Sequence, residues 1–357
     1  MPRLRWTWIW VPPLAGAASL LFGAQLTLPP LLLGLVLIIT VLAAVHHAEI
    51  IAHKVGEPFG TFLLALAVTV IEVGLILTLM MQGKAGSETL ARDTVFSAVM
   101  IILNALIGVF ILVGALRHHE QGFQQTGVSA SLATLSTLSV LTLVLPNFAI
   151  SAHGPYYSSS QMVFVAIVSL LLYLTFVSVQ TMRHRDYFLP PEATVTDPEA
   201  HAAPPTTGAT LVSAGILLAC LVEVVLLAKA LAPAIEQGVA AVGAPHAVVG
   251  VVIAGLVLLP ESIAAIRAAA ANRLQTSLNL ALGSALATIG LTIPAVSMLS
   301  LYTGLPFALG LDPRGIVLLG LTLIVSILTL GTARTTVLQG MVHLVIFGVF
   351  VFTTLVP

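Results

Sequence analysis

GEPFGTFLLALAVTVIEVGLILTLMM, residues 56–81, is an apolar stretch long enough to cross a bilayer, with one acid, Glu72, near its middle. A second stretch, AVVGVVIAGLVLLPESIAAI at 247–266, repeats the arrangement around Glu261. A carboxylate at that depth costs about 2.5–3.5 kcal/mol on insertion scales, so it normally faces a protein-lined cavity and handles a proton or a cation. Related lead-ins precede the two stretches: Val55-Gly56-Glu57-Pro58 and Val242-Gly243-Ala244-Pro245. The pattern points to a duplicated transport site.

Composition puts the rest of the chain in the membrane as well. Of 357 residues 58% are hydrophobic and only 8% are charged, and the mean hydropathy is +1.09. No soluble core of this size needs so little charge, and the expected class is an all-α polytopic membrane protein. The net charge of −1 gives no basic surface for nucleic acid. The single Cys220, inside an apolar run, excludes an intrachain disulfide framework and reads as packing.

About eleven runs can span: 8–27, 31–52, 59–81, 94–116, 127–149, 161–181, 210–232, 247–270, 277–300, 314–331 and 335–356. The first, behind a basic start, reads as a retained helix because no small-x-small cleavage site follows it. Residues 183–209, rich in Pro, Thr and acids, read as a flexible cytoplasmic linker. With the N-terminus inside, Arg3, Arg5, Lys54, Arg117, Arg183, Arg185, Arg267, Arg273 and Arg334 fall inside, and Lys84, Arg92, Lys229 and Arg314 outside. This predicts an extra helix (1–27), a five-helix repeat (28–182), the linker, and a second repeat (210–357). Five helices per half make the second repeat enter upside down, the inverted plan of many transporters.

The oxygen donors are read from helical spacing. Hard cations take carboxylates, carbonyls, hydroxyls and water. Thr69 lies one turn before Glu72, on the same face. Pro260 lacks an N–H and should leave the carbonyl of Leu256 without its helical partner. Asp93, Ser97 and Asn104 form a stripe in one half, Ser277, Ser284 and Thr288 in the other. Glu72, Glu261, Thr69, Leu256, Ser284, Thr288 and Asn104 are therefore the candidate cation- and proton-binding residues, with Glu72 and Glu261 holding the metal ion. His46, Glu49 and His53 share a helix face that can sense pH or bind Zn2+, and Glu223 is a third acid in an apolar run. These four are candidates for pH regulation. The chain has no H-E-x-x-H, G-x-S-x-G or G-x-x-x-x-G-K-[ST], so neither an enzyme nor an ATP-driven pump is indicated.

The stretches 56–76 and 258–296, LLPESIAAIRAAAANRLQTSLNLALGSALATIGLTIPAV in the second case, resemble the cation/proton exchangers of the cation:Ca2+ antiporter superfamily, and in particular the bacterial sodium/calcium–proton antiporters. The resemblance implies an essential acid in each repeat, at Glu72 and Glu261, for which cation and protons compete. Better-known members read Gly-Asn-x-x-Glu in both repeats; here the Asn positions are Thr69 and Leu258. The Gln that commonly follows Gly-Ser-Ser is absent after Gly283-Ser284. The expectation is a secondary antiporter of a prokaryotic inner membrane, exporting Ca2+, or Na+ as a further cargo, against protons. No cofactor is expected. Its partners are lipid, inorganic cations and protons, and a homo-oligomer is compatible with the sequence. The alternative is a Zn2+ or other divalent transporter using His46, Glu49 and His53.

Overall fold

The computed structural model describes residues 11, 13–19, 29–56, 59–81, 86–189 and 205–356. Between Pro30 and Leu355 they form ten long helices. These are α1 (Pro30–Val55), α2 (Phe59–Met80), α3 (Ser87–His118), α4 (Gln125–Phe148), α5 (Ser159–Arg183), α6 (Thr207–Ala241), α7 (Ala247–Ala270), α8 (Leu274–Thr303), α9 (Pro313–Leu330) and α10 (Val337–Leu355). They contain no strand; a single bridge joins Gly122 and Arg334. Ten of the eleven expected runs are thus helical. Of the first, 8–27, only residues 11 and 13–19 are described, as helix, and most of the linker lies outside the described residues.

Local chemistry sets several helix starts. Ser158 and Gln161 close a capping box on α5, and Thr336 and Gln339 one on α10. Asp312 caps α9 by accepting from the Gly315 N–H, with Pro313 in the first turn. α8 stops at Gly304, whose φ of 70° is the left-handed conformation that favours glycine. The expected end of α6 at 232 is too early. The helix runs through Pro233 to Ala241, because Ile235 and Val239 pack against a cluster of Leu79, Leu90, Ala232, Val249 and Ile253. Apolar burial there outweighs the one helical bond that proline removes.

α8 is the central element. It touches α2, α3, α4, α5 and α7, and residues 284–290 are all buried. α3 is similarly enclosed, with residues 93–104 all buried. Outward faces remain apolar, as at Phe164, Leu171, Ile324, Leu328 and Phe352, which suits a lipid surround.

The two ends of the bundle are tied by different polar sets. At one end Arg92 donates to Gly310 O, Asn147 Nδ2 to Leu311 O, and the Ala308 N–H to Glu88 O. At the other Gln121 Nε2 donates to Ala269 O and Asn272 Oδ1, Asn279 Nδ2 to Phe188 O, and Arg334 pairs with Glu120. Each set joins loops placed on the same side of the membrane by the basic-residue reading. Three helices carry π turns, 101–106 in α3, 140–144 in α4 and 179–183 in α5. In the second, Leu141 O accepts from the Tyr157 hydroxyl and Leu143 O from the Leu311 N–H. Burial pushes the Tyr157 phenol up to about 12, so it remains a donor at any working pH.

Candidate cation-binding site

Glu72 on α2 and Glu261 on α7 are both buried, at 3% and 4% exposure. α8 supplies a hydroxyl to each. Ser284 Oγ donates to Glu261 Oε2, and Thr288 Oγ1 donates to Glu72 Oε2 at 2.7 Å. The two hydroxyls are four residues apart, hence on one helix face. One helix therefore holds both carboxylates, and the Thr288–Glu72 bond joins the two halves of the chain across 216 residues of sequence.

The second oxygen of each carboxylate, Glu72 Oε1 and Glu261 Oε1, is also buried and accepts no hydrogen bond from the described residues. No Lys, Arg or His among the described residues pairs with either acid. Two ionised carboxylates without a counter-charge in a low-dielectric interior repel each other and lose their hydration. Protonation of the acids or the presence of a cation would each relieve that charge.

α7 reaches the site through a bend. Its axis turns by 56° between Ala247–Leu259 and Glu261–Ala270, at Pro260. Just beyond the bend Ser262 Oγ donates to Leu258 O at 2.5 Å. Leu256 lies before it and, with Val257, lines a largely apolar pocket. Leu37, Val41, Leu75, Ala228 and Ile253 also line this pocket, so it runs between α1, α2, α6 and α7; Ser87, Glu236 and His246 line it as well. Thr69 is buried (3%) one turn before Glu72.

The remaining expected residues are not gathered here by hydrogen bonds. Asn104 is fully buried but bonded to Thr322 on α9 and His343 on α10. The π turn at 101–106 explains the difference. It spends an extra residue, so Asn104 falls out of phase with the stripe that begins at Asp93 and Ser97. Ser97 itself turns back to Asp93 O at 2.6 Å. Glu223 on α6 lies against the N-terminal segment: a Cβ at Gly16 would collide with its carboxylate and stand 3.2 Å from Thr40 Oγ1. His46 and Glu49 come to 4.0 Å near the end of α1, and both are about half exposed. His53 is exposed. Among the described residues no group of three or more His, Cys, Asp or Glu is arranged to hold a metal ion, so the Zn2+ alternative gains no support. Unforeseen was the buried His343 cluster; its only trace in the sequence is a histidine inside the apolar run 335–356.

The sequence matches the family described as sodium/calcium exchanger protein over residues 28–182 and 212–356. It is 48% identical over 356 residues to the putative ionic transporter y4hA of Sinorhizobium fredii, covering 98% of this chain and 96% of that protein. It is 34% identical over 350 residues to the sodium-potassium/proton antiporter ChaA of Escherichia coli, covering 96% and 94%. Among solved structures, native YfkE superposes with a TM-score of 0.74 at 16% identity, covering 98% of this chain and all of that one (100%). The H+/Ca2+ exchanger CAX gives 0.70 at 16% identity, covering 95% and 87%. At those identities the structures speak for the fold. With both halves matched and relatives aligned along nearly its whole length, the chain belongs to the sodium/calcium exchanger family, as a multi-pass antiporter of the bacterial cell membrane and not an enzyme.

Proposed function

We propose that this protein exchanges Ca2+ for protons, with Na+ as a competing cargo, and that Glu72 and Glu261 bind both. The observation that carries the proposal is the pair of buried carboxylates, each with one oxygen tied to α8 and one unclaimed. Two carboxylates balance the charge of one Ca2+ or of two protons, so either occupant neutralises the site and the two exclude each other. Ser284 and Thr288 turn their hydroxyl oxygens toward a bound ion, and Thr69 and the Leu256 carbonyl complete the oxygen set. ChaA is a sodium-potassium/proton antiporter and CAX an H+/Ca2+ exchanger, so proton coupling is common to both relatives while their cations differ.

The packing supports a route to alternating access. α1 and α6 lie along each other, and both line the apolar pocket that Leu256 and Val257 also line. Sliding of this pair against the helices that hold the acids would open the site to one face and close it to the other. The first repeat, 28–182, and the second, 210–357, are the inverted units, and His46, Glu49, His53 and Glu223 tune the response to pH. The test is counterflow in everted membrane vesicles. A pH gradient should drive 45Ca2+ uptake, Na+ should compete, and collapse of the gradient should release the ion. Vesicles that move no cation in response to the gradient would refute the reading, and uptake of Zn2+ alone would favour the His46 face.

A further inference from the structure

A second polar cluster lies wholly inside the bundle, away from the carboxylate pair. His343 on α10 is fully buried (0%), and both ring nitrogens have partners. Nδ1 is 3.4 Å from Asn104 Oδ1 and Nε2 is 3.2 Å from Thr329 Oγ1. Asn104 Nδ2 donates to Thr322 Oγ1 at 2.9 Å, and Thr322 Oγ1 donates to Met100 Sδ at 3.4 Å.

The directions of these bonds determine the tautomer. Asn104 spends its amide nitrogen on Thr322, so its oxygen can only accept. His343 therefore carries its proton on Nδ1, and Nε2 accepts from the Thr329 hydroxyl. Every member is neutral, and among the described residues no charged side chain bonds to the cluster. The cluster is suited to holding helices together and not to carrying charge.

What it holds is the π turn of α3. Asn104 sits within 101–106, and that turn packs against α7 and α8 as well as α9 and α10. A π turn forgoes regular helical bonding and persists where the surroundings hold it. One turn further on, Gly108 and Gly340 let the backbones of α3 and α10 meet: a Cβ on Gly340 would stand 3.0 Å from both Gly108 O and Leu112 N. The Asn104–His343 bond is the polar clasp beside that apolar crossing.

We infer that His343 is a positioning residue for exchange: through Asn104 it fixes the π turn of α3, and with it the surface against which α7 and α8 present Glu261, Ser284 and Thr288. The inference rests on the carboxylate reading of the site.

Glutamine's amide carries an NH2 donor group and a carbonyl acceptor, so His343→Gln can satisfy both Asn104 and Thr329. His343→Leu satisfies neither and leaves buried groups unpaired, a loss equivalent to about tenfold or more in an equilibrium. Purified full-length proteins are compared by amide hydrogen exchange and, in liposomes, by the Ca2+ dependence of proton-driven 45Ca2+ uptake. His343→Leu should speed exchange at 101–106 by about tenfold and raise half-saturating Ca2+ by about fivefold, with maximal rate changed less than about twofold. His343→Gln should stay within about twofold of wild type on each readout. Asn104→Leu combined with His343→Leu should be no worse than the worse single variant. Unchanged protection and half-saturation in His343→Leu, or equal damage by Gln and Leu, would overturn the inference. Should His343→Leu fail to assemble, His343→Asn replaces it: one methylene shorter than Gln, it cannot reach both partners, and the same comparison decides. If wild type moves no Ca2+, the carboxylate reading falls, while hydrogen exchange still decides whether His343 holds the turn.

Discussion

At Glu72 and Glu261 one carboxylate oxygen is tied to α8 and the other accepts no hydrogen bond from the described residues, the basis of the proposed cation site. Replacing either acid by Gln keeps its size and removes its charge, so Glu72→Gln and Glu261→Gln should each bring liposome transport to background. Near-normal exchange in either variant would remove that residue from the mechanism. The hydroxyls contribute less. Ser284→Ala and Thr288→Val each remove one hydrogen bond to a charged group, about 1.5–3 kcal/mol, so half-saturating Ca2+ should rise about tenfold to a hundredfold. Rates measured at saturating Ca2+ separate this loss of affinity from a failure to fold. Both acids were legible in the sequence because a charge at mid-membrane has few bland explanations, and Ser284 and Thr288 because α8 is a regular helix at that point. Asn104 was misplaced for the opposite reason: helical spacing assumes 3.6 residues per turn, and the π turn at 101–106 breaks that count.

Among the elements, α8 bears the heaviest constraint, since it meets α5 on one face and both acids on another. A Cβ at Gly290 would stand 2.6 Å from Tyr173 Cβ and 2.8 Å from its Cγ, too near the α5 backbone for a rotamer change to relieve. Gly290→Ala should therefore destabilise the protein by about 1–3 kcal/mol, seen as earlier thermal unfolding in detergent. Unchanged unfolding would mean that α5 and α8 are not packed this closely. The bend in α7 was readable from Pro260, and the extent of α6 was not. A proline at 233 reads as a stop, but the apolar contacts of Ile235 and Val239 that carry the helix past it lie on other elements. The π turns leave no local mark in sequence, because the partners that stabilise them, Thr322 and His343 for α3, are more than 200 residues away.

For the whole molecule, hydropathy made the helical runs legible, and the charge of the loops suggests their sides. Loops assigned to one side do meet in space: Glu120 with Arg334, and Arg92 with Gly310. With Cys220→Ala as background, single cysteines in 190–204 should react with an impermeant maleimide only from the cytoplasmic face. Labelling of those positions in intact cells would overturn both the orientation and the inverted repeat. The pairing of the halves through α8 could not be read in advance, since Thr288 reaching Glu72 depends on how the repeats interlock. On the proposed reading, competition between cation and protons at the site also sets the pH dependence. A protonated carboxylate offers Ca2+ no charge, so apparent affinity should strengthen as pH rises and level off once both acids are ionised. The most direct test of the central claim is calorimetry of Ca2+ binding in buffers of different ionisation enthalpy, which counts the protons released. Wild type should release protons on binding Ca2+, in decreasing number as pH rises, and Glu72→Gln and Glu261→Gln should lose that release. Ca2+ binding with no proton release at any pH would contradict a site shared by cation and protons.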